Sequence, residues 1–201
     1  MQSLLFNESK IIGCVSLLSV ILTYQTKYFI FAVCVLIGLL IFYRYEPHNV
    51  RYCDNTIISP AEGKIIYIKQ IGENISMSIF MSIFNRHTQV YPVNGVVIDR
   101  IHDNTGIYNI VADKDKSRFN EKRIHNIITK NGIVQVTQIA GFLMRCITSS
   151  MEYPEKVSAG EYMGMVKFGS RIDITFKGDI KKLKKKQGDA INIGETIYKW
   201  N

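Results

Sequence analysis

The sequence predicts a mainly β fold: a glycine-punctuated, antiparallel β-sandwich or barrel-sandwich-like domain behind an N-terminal apolar helical membrane anchor. Three observations predict it. Residues 1–43 are apolar and almost uncharged. From residue 56 onward, short runs of β-branched and aromatic residues recur between glycines and prolines. No long helical period separates those runs, which argues for antiparallel pairing rather than βαβ crossovers. With 201 residues and 47% hydrophobic content, the chain can bury one real core.

The anchor rests on "IIGCVSLLSVIL" (11–22) and "YFIFAVCVLIGLLIFY" (28–43), separated by "TYQTK". A helix that crosses a bilayer needs roughly 20 apolar residues, and these runs have 12 and 16. A hairpin of two short helices in one leaflet fits, as does one tilted span behind an interfacial helix. A cleavable signal peptide fits less well, because a basic leading region is missing and the second apolar run would be unexplained. Neither run shows the periodicity of a helix with one face toward water, which disfavours two buried core helices. Arg44, His48 and Arg51 follow directly, and cations beside an apolar anchor favour the cytoplasmic side of a cell membrane. The domain boundary therefore falls near residue 45, with a β-rich domain over 46–201.

Within that domain "TIISPAEGKIIYI" (56–68) reads as strand, turn and strand, with the turn at Pro60–Gly63. "ISMSIFMSIF" (75–84), "GVVIDRI" (95–101), "IVQVTQIA" (133–140), "SRIDITF" (170–176) and "ETIYKW" (195–200) supply further strands. "GFLMRCITSSM" (141–151) is the one modest helical candidate, and it reads equally as a strand ending in a loop.

Charge narrows the partners. The net charge is +8, of which residues 1–43 contribute only +1, from Glu8, Lys10 and Lys27. Between Lys167 and Lys186 stand eight basic side chains against Asp173 and Asp179, a cationic stretch suited to a polyanion. Interleaved exposed aromatics are missing, so a nucleic-acid partner is not expected; beside an apolar anchor, anionic lipid headgroups are. The cysteines at 14, 34, 53 and 146 are scattered, with no metal-binding or redox spacing. They read as reduced thiols, and no metal site is expected.

One stretch resists a purely structural reading. In "GMVKFGSRIDITF" (164–176) a Gly169–Ser170 pair interrupts two β runs. A bulge or tight turn would account for the glycine. A peptide bond built to break would account for both residues.

Six segments, in order, decide between them. "FYRYEP" closes the apolar region, "SPAEGK" (59–64) forms the first turn, and "FNRHTQVYPVNG" (84–95) carries a histidine ahead of Pro-x-x-Gly. "FNEKR" (119–123), "QIAG" (138–141) and "FGSRID" (168–173) follow. Together they resemble the short form of the phosphatidylserine decarboxylases, a family of self-processing pyruvoyl enzymes. The resemblance runs from about residue 40 to residue 176.

It implies that the Ser170 hydroxyl attacks the Gly169 carbonyl, and that elimination and hydrolysis leave a pyruvoyl cofactor derived from Ser170. The products would be a large chain, 1–169, and a small chain, 170–201. The pyruvoyl carbonyl would take the amine of phosphatidylserine as a Schiff base and act as electron sink for loss of CO₂. His87 and Glu62 match the family's histidine and turn carboxylate and so join Ser170 and Gly169 as expected catalytic residues. Arg171, Asp173 and Lys167 are expected near the substrate, although Arg171 and Asp173 could equally alternate along an exposed strand face. His102 and His125 match nothing and are expected to face solvent.

Two positions depart from the pattern. Glu62 stands where the family has Asp, and Val90 stands where it has Arg or a second His. Valine can neither move a proton nor pair with a carboxylate. A second reading therefore stands beside the enzyme: an uncleaved, membrane-anchored relative that binds lipid or a partner protein.

Overall fold

The computed structural model describes residues 2–24, 26–42, 52–103, 106, 108–111, 113–142, 147–149, 156–166 and 169–200. The chain divides into two compact units, Met1–Glu46 and Pro47–Asn201.

The first unit holds helices α1 (Gln2–Leu22) and α2 (Phe29–Phe42), which contact each other. Polar side chains along α1 bond back to the helix: Ser16 Oγ donates to Ile12 O at 2.7 Å and Ser19 Oγ to Val15 O at 2.9 Å. That satisfies hydroxyls inside an apolar sequence. Thr26 N donates to Thr23 O at 2.8 Å and turns the chain between the helices. Of the two readings left open for the apolar runs, the tilted span finds no support here. Among the described residues no helix is long and apolar enough to cross a membrane. α2 has 14 residues, about 21 Å at helical rise, against a hydrocarbon core of about 30 Å. α1 is longer, but its first turns carry Gln2, Asn7, Glu8 and Lys10. Arg44, His48 and Arg51 lie outside the described residues.

The second unit is antiparallel throughout its described pairings. Its strands are β1 (Thr56–Ile58), β2 (Gly63–Ile71), β3 (Asn74–Met81), β4 (Thr88–Val90), β5 (Gly95–Asp103), β6 (Lys122–Thr129) and β7 (Gly132–Ile139). There follow β8 (Ile147–Ser149), β9 (Lys156–Val157), β10 (Tyr162–Val166), β11 (Ser170–Lys177), β12 (Ala190–Ile191) and β13 (Thr196–Lys199), with one short helix, α3 (Lys114–Ser117). Eight strands form one sheet in the order β12-β2-β3-β11-β7-β6-β5-β9; β4-β10-β8 and β1-β13 form two smaller sheets. The six expected runs supply seven strands, β1, β2, β3, β5, β7, β11 and β13, but residues 82–84, expected to extend β3, form a turn instead. β8 falls inside the stretch expected as helix or strand, and residues 143–146, 150 and 151 of that stretch lie outside the described residues.

The core lies on one face of the large sheet. On β11 the side chains of Ser170, Ile172, Ile174 and Phe176 are buried there, as alternation requires. Ile75, Met77, Ile79 and Met81 of β3 and Val134 and Val136 of β7 share that core. β11 is therefore a central strand, paired over Ser170–Lys177 with β3 and over Arg171–Thr175 with β7.

Candidate active site

Ser170 opens this central strand, opposite Met81. Its side chain is fully buried; Oγ lies 3.4 Å from Val166 O and 4.0 Å from Met81 Sδ. Gly169, just before it, has φ +63°, a left-handed conformation that costs other residues about 1–2 kcal/mol. A Cβ at Gly169 would meet nothing within 4 Å. Backbone conformation, not crowding, therefore makes this position glycine. At the start of β11 the buried hydroxyl thus lies beside the backbone of Val166, four residues earlier. These features fit a residue that becomes a chain-borne pyruvoyl group.

Glu62 and His87 are placed by two turns. Gly63 lies so close to β3 that an added Cβ would stand 2.2 Å from Phe80 O, which fixes Glu62 at the mouth of the β2–β3 pair. After β3, Asn85 N donates to Ser82 O at 3.0 Å, and Asn85 Oδ1 accepts from Ser82 N and Oγ at 2.9 and 2.8 Å. From this turn Asn85 Nδ2 donates to Glu62 Oε1 at 3.1 Å and Arg86 Nε to Glu62 Oε2 at 2.6 Å. His87 Nδ1 donates to Asn85 O at 2.8 Å. In the neutral ring this leaves Nε2 with the lone pair, the form a general base uses. His87 is fully buried and precedes Thr88, which pairs with Met165 of β10. The same corner thus holds the end of β3, the start of β4 and the turn that leads to Ser170.

Val90 is explained by its neighbours. It is buried with Ile58, Ala159 and Ile193 in an apolar cluster, where an arginine would be a buried charge. The guanidinium that meets Glu62 comes from Arg86 instead, four residues earlier in the chain. Sequence reading missed Arg86 because the position shows no signal until the turn is folded.

Arg171 and Asp173 point to the opposite face of β11 from Ser170. Arg171 Nη1 donates to Val111 O at 2.9 Å and to Ser117 Oγ at 2.7 Å, and Nη2 donates to Asp173 Oδ2 at 3.2 Å. Nε lies 2.9 Å from Asp173 Oδ1, an ionic contact without hydrogen-bond alignment. This buried guanidinium ties the segment before β6 to the strand that carries Ser170. Lys167 lies outside the described residues. Lys177, at the far end of β11, pairs with Glu73 at 2.7 Å, and the described lysines from 181 to 186 follow beyond the end of that strand.

Asn120 and Glu121 acquire physical roles. Asn120 is buried; its Nδ2 donates to Asn109 O at 2.8 Å and Ala140 O at 2.9 Å, and its Oδ1 accepts from Asn109 N at 2.7 Å. The Glu121 carboxylate accepts from the Tyr108 hydroxyl and from His102 Nε2, the latter at 2.8 Å. His102 keeps 39% of its side chain exposed. His125 corrects the expectation of a solvent-facing residue: it is fully buried, with Nε2 3.0 Å from Gln138 Oε1. It lies on the core face of β6, opposite Val136. Burial pushes its pKa down to about 4, helped by Arg100 and Arg123 and opposed by the Gln138 bond. Among the described residues no cluster of His, Cys, Asp or Glu could hold a metal ion.

Comparison with known proteins agrees with this geometry. The family model described as phosphatidylserine decarboxylase matches residues 38–199. A phosphatidylserine decarboxylase proenzyme from Chlorobium limicola is 31% identical over 174 residues, covering 84% of this chain and 81% of that protein. One from Chlorobaculum tepidum is 33% identical over 165 residues, covering 79% and 75%. A protein from Methanococcoides burtonii, provisionally named an archaetidylserine decarboxylase proenzyme, is 35% identical over 156 residues, covering 78% and 72%. No solved structure matches the chain. With a match over most of its length, and a buried Ser170 behind a left-handed Gly169 at the head of a central strand, the chain belongs to the phosphatidylserine decarboxylase family of carboxy-lyases.

Proposed function

We propose that this protein decarboxylates phosphatidylserine to phosphatidylethanolamine with a pyruvoyl group that it makes from Ser170 by cleaving its own chain after Gly169. The observation that carries this reading is the buried Ser170 behind a left-handed Gly169. Processing begins with an acyl shift. The Oγ–C bond to Gly169 forms, the C–N bond breaks, and the serine proton passes to the freed Ser170 nitrogen. Loss of the Ser170 Cα proton and departure of the Gly169 carboxylate then leave a dehydroalanine. Its imine tautomer takes up water and releases ammonia. Once formed, the pyruvoyl carbonyl supplies an electron sink for loss of CO₂.

The chain's own residues hold this chemistry in place. The Asn85–Arg86 turn keeps Glu62 oriented, His87 offers Nε2 as base, and the start of β11 is held by Ser170 opposite Met81 on one side and Arg171 opposite Ile139 on the other. Val90 supports the competing reading of an uncleaved lipid-binding relative. Arg86 weakens it, because Glu62 has its cation without position 90.

A lipid substrate supports a position at the cell membrane, and the cations Arg44, His48 and Arg51 directly after the apolar runs support the cytoplasmic side for the β-rich unit. The exposed Leu18, Leu22, Ile30, Phe31 and Leu40 of the helical unit suit the apolar side of one leaflet.

Intact mass of the purified wild type and of Ser170→Ala tests the proposal. A 32-residue small chain (170–201) with a carbonyl-bearing N-terminus is expected in the wild type and not in the variant. A folded wild type that stays one chain would leave the lipid-binding relative.

A further inference from the structure

A buried chain of polar side chains ends over Ser170. Gln89, on β4, reaches across to the large sheet. Its Nε2 lies 3.6 Å from Met81 Sδ, and its Oε1 accepts from Gln138 Nε2 at 2.5 Å. Met81 is the β3 partner of Ser170, and Gln138 is the β7 partner of Ile172. β11 runs between those two strands, so the Gln89 carboxamide bridges its neighbours directly above residues 170–172. Gln89, Gln138, Met81 and Ser170 are all fully buried.

The direction of every bond in this chain is determined. Thioether sulfur only accepts, so Gln89 turns its NH₂ toward Met81 and its oxygen toward Gln138. Gln138 must then donate to Gln89, which leaves its own oxygen for His125 at 3.0 Å. His125 must carry its proton on Nε2, and the neutral ring supplied by its lowered pKa meets that demand. His125 Nδ1 is buried and has no partner among the described residues. Every donor therefore points toward Ser170, and the last one ends on sulfur, a weak acceptor. Ser170 Oγ lies 4.0 Å from the same sulfur. Rotation of the flexible Met81 side chain would free the Gln89 donor for an oxygen on residue 170.

We propose that Gln89 is a catalytic residue of self-processing, donating to Ser170 Oγ as this oxygen leaves with the Gly169 carboxylate, and that Gln138 and His125 are its positioning residues. In that step the Cα proton of Ser170 is lost to water and its electron pair forms Cα=Cβ. The Cβ–Oγ bond breaks and its electrons remain on Oγ. A buried amide donor aimed at that developing charge is worth far more than one aimed at sulfur. The assignment rests on the pyruvoyl reading above.

The test is Gln89→Met, which keeps length and apolar bulk but removes the donor. Samples are taken through processing, with and without hydroxylamine, and read by intact mass. The acyl shift still occurs, so a full-length ester that hydroxylamine cleaves between 169 and 170 is expected to accumulate. Appearance of the pyruvoyl small chain slows at least ten-fold. Gln138→Met should show the same signature more weakly, and Gln138→His, which keeps a donor toward Gln89, should restore the rate. Should Gln89→Met fail to fold, the Gln138 pair decides in the same way. Wild-type processing in Gln89→Met, or slow processing without a hydroxylamine-labile chain, overturns the assignment alone. A folded wild type that is never cleaved removes the pyruvoyl reading and the assignment with it.

Discussion

Glu62 shows how one side chain depends on its turn. Its carboxylate is mostly buried against Arg86, with side-chain exposures of 17% and 14%, and the pair also holds the residues leading to His87. Glu62→Gln should therefore cost about 1–3 kcal/mol by leaving a partly buried guanidinium without its carboxylate. Chemical denaturation of the single variants and of Glu62→Gln/Arg86→Met checks this, because a true pair gives a coupling of 0.5 kcal/mol or more. His125 makes a pH prediction. Its folded pKa of about 4 lies below the usual 6.5, so the unfolded chain takes up the proton first as the pH falls. Its contribution is complete above about pH 6.5, declines toward pH 4 and levels off below, spanning about 3 kcal/mol. Melting temperatures from pH 7 to 4 should fall more steeply for the wild type than for His125→Asn. Parallel curves would mean that the buried ring is already charged.

At the scale of elements, two glycines do different work. Gly63 lets β2 approach β3, and an alanine there would stand 2.2 Å from Phe80 O. Gly169 has room for a methyl group but a backbone that disfavours one. Gly63→Ala should thus part the strands and lower the melting temperature by 10 °C or so. Gly169→Ala should fold with a penalty of about 1–2 kcal/mol, spent at the cleavage site. Thermal melts paired with the rate of small-chain formation separate the two: loss of fold at position 63, slowed cleavage in a folded protein at position 169. β6 illustrates what local pattern hides. "KRIHNIIT" alternates, but the core-facing set includes His125 and Arg123 beside Ile127, so the polar side chains on the buried face conceal the strand.

For the whole molecule, the position of β11 decides the fate of the cleaved chain. After cleavage the small chain would still contribute β11 between β3 and β7, β12 beside β2, and β13 beside β1. Ile172, Ile174, Phe176, Ile191, Ile197 and Tyr198 of that chain all sit in the main core. The two products should therefore elute together in native size-exclusion chromatography and separate only in denaturant. A small chain that elutes alone in native buffer would contradict this topology.

By itself the sequence determined the antiparallel β class, seven of the strands and the Gly169–Ser170 break between β runs, because alternation and turn chemistry are local and survive in a linear reading. The pairing of Glu62 with Arg86, the burial of His125 and the burial of Arg171 against Val111 and Ser117 were decided only by the tertiary structure. Each depends on which strands become neighbours and which face each neighbour presents. Val90 is the clearest case: in the linear chain it reads as a lost charge, and in the fold it fills an apolar cluster while the cation reaches Glu62 from Arg86. A carboxylate responds to charge in space rather than to position in sequence, so the residue that meets it could be identified only once the turn was folded.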